Sequence, residues 1–313
     1  MPDSSAPSAL RRLITATVAG VLLATVTPVV AAGPVRAAGP VRAAGYSGPQ
    51  PGTFTGLGFD TCAAPSNAAM TAWLKSPYRA VGVYLGGVNR GCAQPNLTRS
   101  WVATQQAAGW RIFPLYVGLQ APCSTYQRRI DPTRATAQGR AAADDAATRA
   151  DDLGLARRST LILDLEHYPS GDAACTAAVD GFVSAWTLRL HERGFLAGLY
   201  TKVTSAGLGD QVAAYHRPGH GVPDLLDFAR WDGVQTVTDP ALPASHWAPG
   251  RRMKQYQGDH HETWGGVRMN IDSNYLDLVQ PARTRSRPAP QAPPKWGTGL
   301  SRLVARSAAA ALR

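Results

Sequence analysis

The sequence predicts an α/β fold in which eight strands and their connecting helices form one (β/α)8 TIM-type barrel, a single domain. Between residues 53 and 280, short apolar runs alternate with longer segments of helical pattern, which is typical of strands joined by crossover helices. Eight such runs fit into about 230 residues, a length that suits a closed barrel better than an open sheet. We therefore expect eight parallel strands with their carboxyl ends at one mouth.

The predicted elements follow one another along the chain in this alternation. Strands are expected at Thr55–Cys62, Ala80–Gly86, Arg111–Gly118, Thr160–Tyr168, Leu196–Thr201, Leu226–Trp231, Met253–Gln257 and Val267–Asn274. Helices are expected at Ser66–Lys75, Leu97–Ala108, Arg134–Gly154 and Thr176–Arg193, and a weaker helical pattern follows Thr201.

Charge divides the chain into three regions. The net charge of +11 splits into +3 for residues 1–45, +1 for residues 46–280 and +7 for residues 281–313. A nearly neutral middle region argues against a nucleic-acid-binding domain, which would carry its positive charge on the folded part. The Pro-rich and Ala-rich last region is expected to be a disordered tail, either bound to an anionic polymer of the cell envelope or passive.

The first region has the composition of an export signal followed by a Gly/Pro/Ala spacer. Arg11 and Arg12 precede an uncharged, mostly apolar run from Leu13 to Ala32. The arginine pair fits a twin-arginine signal, and an ordinary Sec signal stays open. We expect a secreted or cell-wall-associated protein whose barrel occupies residues 46–280.

Four cysteines support export, because disulfides persist in oxidising compartments. Cys62, Cys92, Cys123 and Cys175 follow the first four predicted strands, so all four are expected at the mouth of the barrel. Of the three possible pairings, only Cys62 with Cys92 and Cys123 with Cys175 join neighbouring loops. Their spacing lacks the close ligand pairs of a zinc site, and no metal is expected.

Two acids share one face of the fourth strand. In the run from Thr160 to Tyr168, Leu161, Leu163 and Leu165 alternate with Ile162, Asp164, Glu166 and Tyr168. Residues two apart in a strand are about 6.6 Å apart at Cα, so both carboxylates are expected to point into the barrel near its mouth. A solvated edge strand is the alternative, and three leucines on the opposite face argue against it.

Other polar and aromatic residues are expected around the same mouth. Asp60 ends the first strand and Asp272 lies in the last, and these strands are neighbours in a closed barrel; either acid alone could instead be a cap or turn residue. Inward-facing Gly56 and Gly58 are expected to leave room for a ligand. Aromatic rings at strand ends could stack on sugars or belong to the core, and Gln255 could bind sugar substituents. The rings are Tyr84, Tyr116, Tyr200, Trp231 and Tyr256.

The segment around His260 contains residue types that bind metals. Adjacent side chains in His260-His261-Glu262 diverge on a regular backbone, so a solvated loop is the expected structure. The sequence contains no G-x-S-x-G elbow, Walker loop or dinucleotide fingerprint, which disfavours serine hydrolase, nucleotide and NAD functions. No cofactor is expected.

These residues carry a family resemblance. The strand with Asp164 and Glu166, the strand Ala229–Trp231, the pair Gln255-Tyr256 and the closing Asp272-x-Asn274 resemble glycoside hydrolase family 25, the muramidases. The stretch from Gly56 to Leu278 more closely resembles an exported actinobacterial glycoside-hydrolase-like family, long described as a domain of unknown function. The chain departs from the muramidases at Gly258–Trp264, where they have a short hairpin.

The resemblance implies a barrel with an acidic pocket and a role for each acid. Glu166 would be the proton donor, Asp164 would stabilise charge or orient an N-acetyl group, and Asp60 and Asp272 would support them. Two carboxyl groups suit glycoside hydrolysis, which needs a proton at the leaving oxygen and negative charge near the oxocarbenium-like centre. The expected function is hydrolysis of peptidoglycan-type cell-wall glycan by a monomer; a non-catalytic glycan-binding module is the alternative.

Overall fold

The structure is a computed structural model that describes residues 45–169 and 171–279. Its elements are β1 (Phe54–Asp60), α1 (Asn67–Trp73), β2 (Ala80–Gly86), α2 (Arg99–Ala107), β3 (Arg111–Tyr116), α3 (Ala135–Asp152), β4 (Thr160–Asp164), α4 (Ala173–Glu192), β5 (Leu196–Lys202), α5 (Ala206–Ala214), β6 (Leu225–Ala229), β7 (Arg251–Trp264) and β8 (Val267–Leu278). The predicted export signal and basic tail lie outside the described residues.

The eight strands form a closed barrel in chain order, so the predicted fold class is confirmed. The expectation that all eight strands are parallel is wrong for β8, which pairs antiparallel with both β7 and β1. The reason is the turn at Gly265 and Gly266, whose φ angles of 60° and 82° suit the two-residue hairpin that joins β7 to β8. His260–Glu262 consequently lies in β7 and not in a loop.

Four of the helices begin with a side chain that caps their first turn. Ser66, Thr98, Asp172 and Ser205 each accept a hydrogen bond from a backbone N–H of the helix that follows. The Ala-rich α3 begins without such a cap, and its small side chains allow close packing against α4. No helix within the described ranges is long and apolar enough to cross a membrane.

The core has two layers, one inside the barrel and one between its strands and the helices. Phe113, Ile162, Met253 and Leu276 fill the lower part of the interior. The expectation that an inward glycine leaves space for a ligand is wrong at Gly58, because a Cβ there would lie 2.9 Å from a Leu276 methyl carbon. The core, and not a ligand, occupies that space.

Buried cations hold the segment between β6 and β7. The Arg252 guanidinium donates to the carbonyls of Val237, Pro243 and His246. The Lys254 ammonium lies 2.7 Å from a carboxylate oxygen of Asp232 and is almost fully buried. Because Asp232 follows Trp231 directly, this ion pair fixes the position of the tryptophan at the barrel mouth.

Candidate active site

The acid pair lies where β4 ends. Asp164 is the last residue of β4 and is buried inside the barrel, while Glu166 is half-buried at the mouth. Gln120 holds this segment with both ends of its amide: its Nε2 donates to the Asp164 carbonyl at 2.8 Å, and its Oε1 accepts from the Glu166 N–H at 2.8 Å. The position of both carboxyl groups therefore depends on the loop that follows β3.

A second pair of acids meets beside the first, at the junction of β1 and β8. Asp60 and Asp272 are directly opposite in the antiparallel register, so the predicted meeting occurs even though β8 is reversed. The Asp60 carboxylate accepts from the Tyr84 hydroxyl at 3.0 Å and from the Asn274 amide at 2.8 Å. Gly82 makes room for this arrangement, since a Cβ on it would lie 2.5 Å from the Asp60 Cβ.

Gln255 joins the acids to the aromatic wall. Its Nε2 lies 3.3 Å from Asp60 Oδ2 and 3.2 Å from Asp272 Oδ2, and donates to both carboxylates. Its Oε1 accepts from the Tyr200 hydroxyl at 3.1 Å and from the Trp231 indole N–H at 3.0 Å. The amide nitrogen and the amide oxygen of Gln255 are thus both hydrogen-bonded. Together they orient the side chains of Tyr200 and Trp231 and the carboxyl groups of Asp60 and Asp272.

Burial raises the pKa of several of these carboxyl groups. Burial, and then the negative charge of Asp272, raise the pKa of Asp60 to about 7. Burial, and then the charge of Glu166, raise the pKa of Asp164 well above its usual value. Burial also raises the pKa of Asp227, which lies inside β6, with Asp60 as the second cause. The inner acids therefore favour their neutral, proton-carrying forms more than exposed acids do.

Two buried carboxylate oxygens have no hydrogen-bond partner within the described residues. They are Oδ1 of Asp164 and Oδ1 of Asp227. Buried polar atoms nearly always have a hydrogen-bond partner. Two carboxylate oxygens without one in the same cavity therefore indicate a place where a ligand or solvent supplies the partners.

The acids line two connected spaces at the mouth. The outer space, here the acidic cleft, has a volume of about 490 Å³, a size typical of small-molecule sites. The inner cavity has a volume of about 180 Å³. Both are lined by Asp60, Tyr84, Asp164, Glu166, Trp231 and Asp272.

A lysine and a tryptophan complete the wall next to Glu166. Lys202, at the end of β5, places its Nζ 3.1 Å from Glu166 Oε2. The same Nζ lies 5.8 Å from the ring centroid of Trp231, a cation–π contact. The Trp231 side chain is 56% exposed, which leaves ring surface free for stacking.

The structure does not bring every predicted residue to the cleft. Tyr116 points into the outer layer, where its hydroxyl donates to Asp145 at 2.9 Å and its ring packs on Trp186. Tyr256 lines neither space and accepts a hydrogen bond from Gln235. Tyr168, predicted on the inner face, turns outward after β4 ends and donates to Asp210.

Three residues at the site were not found from the sequence. Asp227 and Lys202 line the inner cavity, and both follow the period-two alternation of their strands, which would have identified them. Gln120 lies in a loop without regular pattern, so the sequence offers no signal for its role.

Both predicted disulfides are confirmed. Cys62 pairs with Cys92, and Cys123 pairs with Cys175. The first bridge lines the acidic cleft, and the second joins the loop after β3 to the first turn of α4. Each bridge therefore fixes a loop at the mouth.

A family model for the "Rv2525c-like, glycoside hydrolase-like domain" matches residues 71–276, from α1 to β8. The matched range contains Asp164, Glu166 and Asp272, while Asp60 precedes it. No curated protein matches the chain.

Several solved structures are similar to the chain. An uncharacterized B. stearothermophilus protein has 20% identity and a TM-score of 0.49, over 71% of this chain and 95% of that one. The Clostridium perfringens spore cortex lytic enzyme SleM has 19% identity and a TM-score of 0.48, over 71% of this chain and 67% of that one. A muramidase from Acremonium alcalophilum has 17% identity and a TM-score of 0.41, over 70% of this chain and 92% of that one.

Proposed function

Because this chain belongs to the Rv2525c-like glycoside hydrolase-like domain family, we propose that it is a secreted glycoside hydrolase acting on peptidoglycan-type cell-wall glycan. The observation that carries the proposal is the adjacent pair of unlike carboxyl groups. Both groups line the acidic cleft and the inner cavity, but Glu166 is half-buried whereas Asp164 is buried and has an unpaired oxygen.

The two carboxyl groups would divide the work of hydrolysis between them. Glu166, at the open end of the site, would protonate the glycosidic oxygen as the bond to the anomeric carbon breaks. Asp164 would stabilise the positive charge that develops on the sugar or hold the acetamido group of an N-acetyl sugar. Its raised pKa supports the second role, since a neutral carboxyl group can donate a hydrogen bond to the acetamido oxygen.

The neighbouring residues would bind the sugar rings. Trp231 offers an exposed ring face, and Tyr84 and Tyr200 line the inner cavity. Asp60 and Asp272 would accept hydrogen bonds from sugar hydroxyl groups and shape the floor through Gln255.

Export is part of the proposal. Two disulfides are typical of an oxidising compartment, and the first region of the sequence has the pattern of a signal. The basic tail would hold the protein near an anionic envelope polymer. Deleting residues 281–313 should weaken salt-sensitive retention on isolated cell walls and leave the unfolding temperature unchanged; unchanged retention would mean that the tail is passive.

One observation favours a second function, a glycan-binding module without turnover. A general acid must carry a proton, and the contact between Lys202 and Glu166 is that of an ion pair. In the hydrolase, a bound glycan would have to displace Lys202 from this contact. In the module, the ion pair would persist and the cleft would only bind.

Product release separates the two functions. Wild type and Glu166→Gln are incubated with purified peptidoglycan, and soluble fragments are measured; Glu192→Gln, on the surface of α4, is the matched control. The hydrolase predicts fragments from wild type and Glu192→Gln and a loss of at least about a hundredfold in Glu166→Gln. Binding measured by calorimetry without any fragments would select the module.

A further inference from the structure

A second cleft of opposite charge adjoins the acidic cleft. It opens between the loops that follow β2 and β3, and it shares Asn89, Arg90 and Tyr126 with the acidic cleft. Two arginines and no acid are among the described residues that line it. We call it the arginine cleft, defined by Val88, Asn89, Arg90, Thr125, Tyr126, Gln127 and Arg128.

The two guanidinium groups keep donors available for a ligand. Arg90 makes a single long hydrogen bond of 3.5 Å to the Tyr84 carbonyl. The hydrogen bonds of Arg128 are made by its backbone carbonyl, which accepts from Asn89 at 2.9 Å and from the Gln120 N–H at 3.1 Å. Within residues 45–169 and 171–279 neither arginine forms an ion pair, whereas Arg140, Arg149 and Arg189 are all paired with acids.

The arginine cleft has a fixed geometry relative to the catalytic acids. The Asn89 amide spans the two loops, donating to the Gly118 carbonyl at 2.8 Å as well as to that of Arg128. The Gln120 backbone N–H donates a hydrogen bond to the Arg128 carbonyl, and the Gln120 side-chain amide holds the segment of Asp164 and Glu166. The backbone that carries the two arginines is therefore held in place relative to the segment of Asp164 and Glu166.

Charge separation limits what such a ligand can be. Five carboxyl groups line the inner cavity against one lysine, so this cavity has no excess of positive charge that could hold an anionic group. An anion is accommodated where arginines outnumber acids, and planar guanidinium groups match carboxylate and phosphate oxygens in pairs. The site thus combines an acidic floor for neutral sugar rings with a basic rim.

We propose that the arginine cleft binds a compact oxyanion, a carboxylate or a phosphate, carried by the saccharide whose rings occupy the acidic cleft. This inference rests on the proposed function for the identity of the saccharide, and it names the substrate class as an anionic glycan. Arg90 and Arg128 determine the preference for anionic over neutral chains.

Calorimetry with matched saccharides tests the inference on the full chain. The probes are N-acetylglucosaminyl-N-acetylmuramic acid, its methyl ester, neutral chitobiose and N-acetylglucosamine 6-phosphate. The acid should bind about tenfold more tightly than its ester, and the anionic probes should lose affinity at high salt whereas the ester and chitobiose should not. Tighter binding of the phosphate than of the acid would identify phosphate as the source of the anion.

Variants locate the effect. Arg90→Gln and Arg128→Gln should each weaken binding of the anionic probe about tenfold and leave chitobiose unchanged. Arg129→Gln removes the same charge from the same loop but not from the cleft, and Lys75→Gln removes it at a distant exposed site. Both controls should bind the acid as wild type does.

Failures of the two proposals are distinguishable. Equal binding of acid, ester and chitobiose, unaffected by the arginine variants, overturns the inference while the proposed function stands. Preferential binding of the anionic probe without cleavage of any glycan overturns the hydrolase and supports the arginine cleft. Absence of binding by every probe overturns the inference, and the release of fragments from peptidoglycan then decides the proposed function separately.

Discussion

The buried carboxyl group of Asp60 should make the stability of the barrel depend on pH. Its folded pKa of about 7 lies above the ordinary value of 3.8, so the folded protein binds this proton more tightly than the unfolded chain does. The stabilising contribution is complete below about pH 4 and is lost as the pH rises to about 7. Above that pH, the folded state carries a buried charge that the unfolded chain would solvate.

The magnitude follows from the two pKa values. At about 1.4 kcal/mol per pKa unit, the rise from 3.8 to about 7 corresponds to at most about 4 kcal/mol. The pKa of about 7 is the net result of opposing effects. Burial and the charge of Asp272 raise the pKa of Asp60, and the hydrogen bonds from Asn274, Tyr84 and Gln255 lower it. Asp60→Asn removes this titration. It also removes the negative charge that helps to raise the pKa of Asp164 and of Asp227, so the stability of the variant should fall less steeply with pH than that of wild type.

Urea unfolding followed by tryptophan fluorescence between pH 4 and pH 8 measures the effect. The unfolding free energy of Asp60→Asn minus that of wild type should rise with pH, by up to about 4 kcal/mol. Asp152→Asn, which replaces an exposed acid on α3, is the matched control for the loss of a carboxyl group. A flat difference for Asp60→Asn, or one that falls with pH, would refute the reasoning.

Three further variants test separate parts of the site. Trp231→Ala should weaken saccharide binding about tenfold in calorimetry with little loss of stability, because the ring is largely exposed; unchanged affinity would exclude stacking. Gln120→Ala should lower kcat by about a hundredfold with a small change in KM, since it positions Asp164 and Glu166; a change in KM alone would contradict that role. Replacing Cys123 and Cys175 together by serine should lower the unfolding free energy by about 3 kcal/mol in urea; equal stability would mean that this bridge adds nothing.

The sequence predicted the parts of the site that follow strand periodicity. Alternation placed Asp164 inside the barrel opposite the outward leucines, and the closure of the barrel placed Asp60 next to Asp272. The loop positions of the cysteines predicted both disulfides. In each case a local pattern and a rule of topology were sufficient.

Other features of the site depend on a turn signal, on the direction of a side chain or on contacts between distant loops. Gly265-Gly266 between two alternating runs is a hairpin signal, and it reverses β8. Tyr256 follows inward-facing Gln255 and must face outward by the same alternation that places the acids. The face of the strand on which a residue lies therefore predicts its place in the cleft better than its distance from the strand end does. The bond between Gln120 and the Glu166 segment joins distant loops, and no pattern in either loop predicts it.

Hydrolysis in water enriched with oxygen-18 tests the central claim most directly. Glycoside hydrolysis adds one water across each cleaved bond, so fragments released by wild type and reduced at once should carry one heavy oxygen at each new reducing end. Mass spectrometry of the fragments gives the count, and Glu166→Gln should release at least about a hundredfold fewer fragments than wild type. Unlabelled fragments, labelled fragments at equal yield from Glu166→Gln, or binding without fragments after long incubation would contradict a hydrolase that uses Glu166 as its acid.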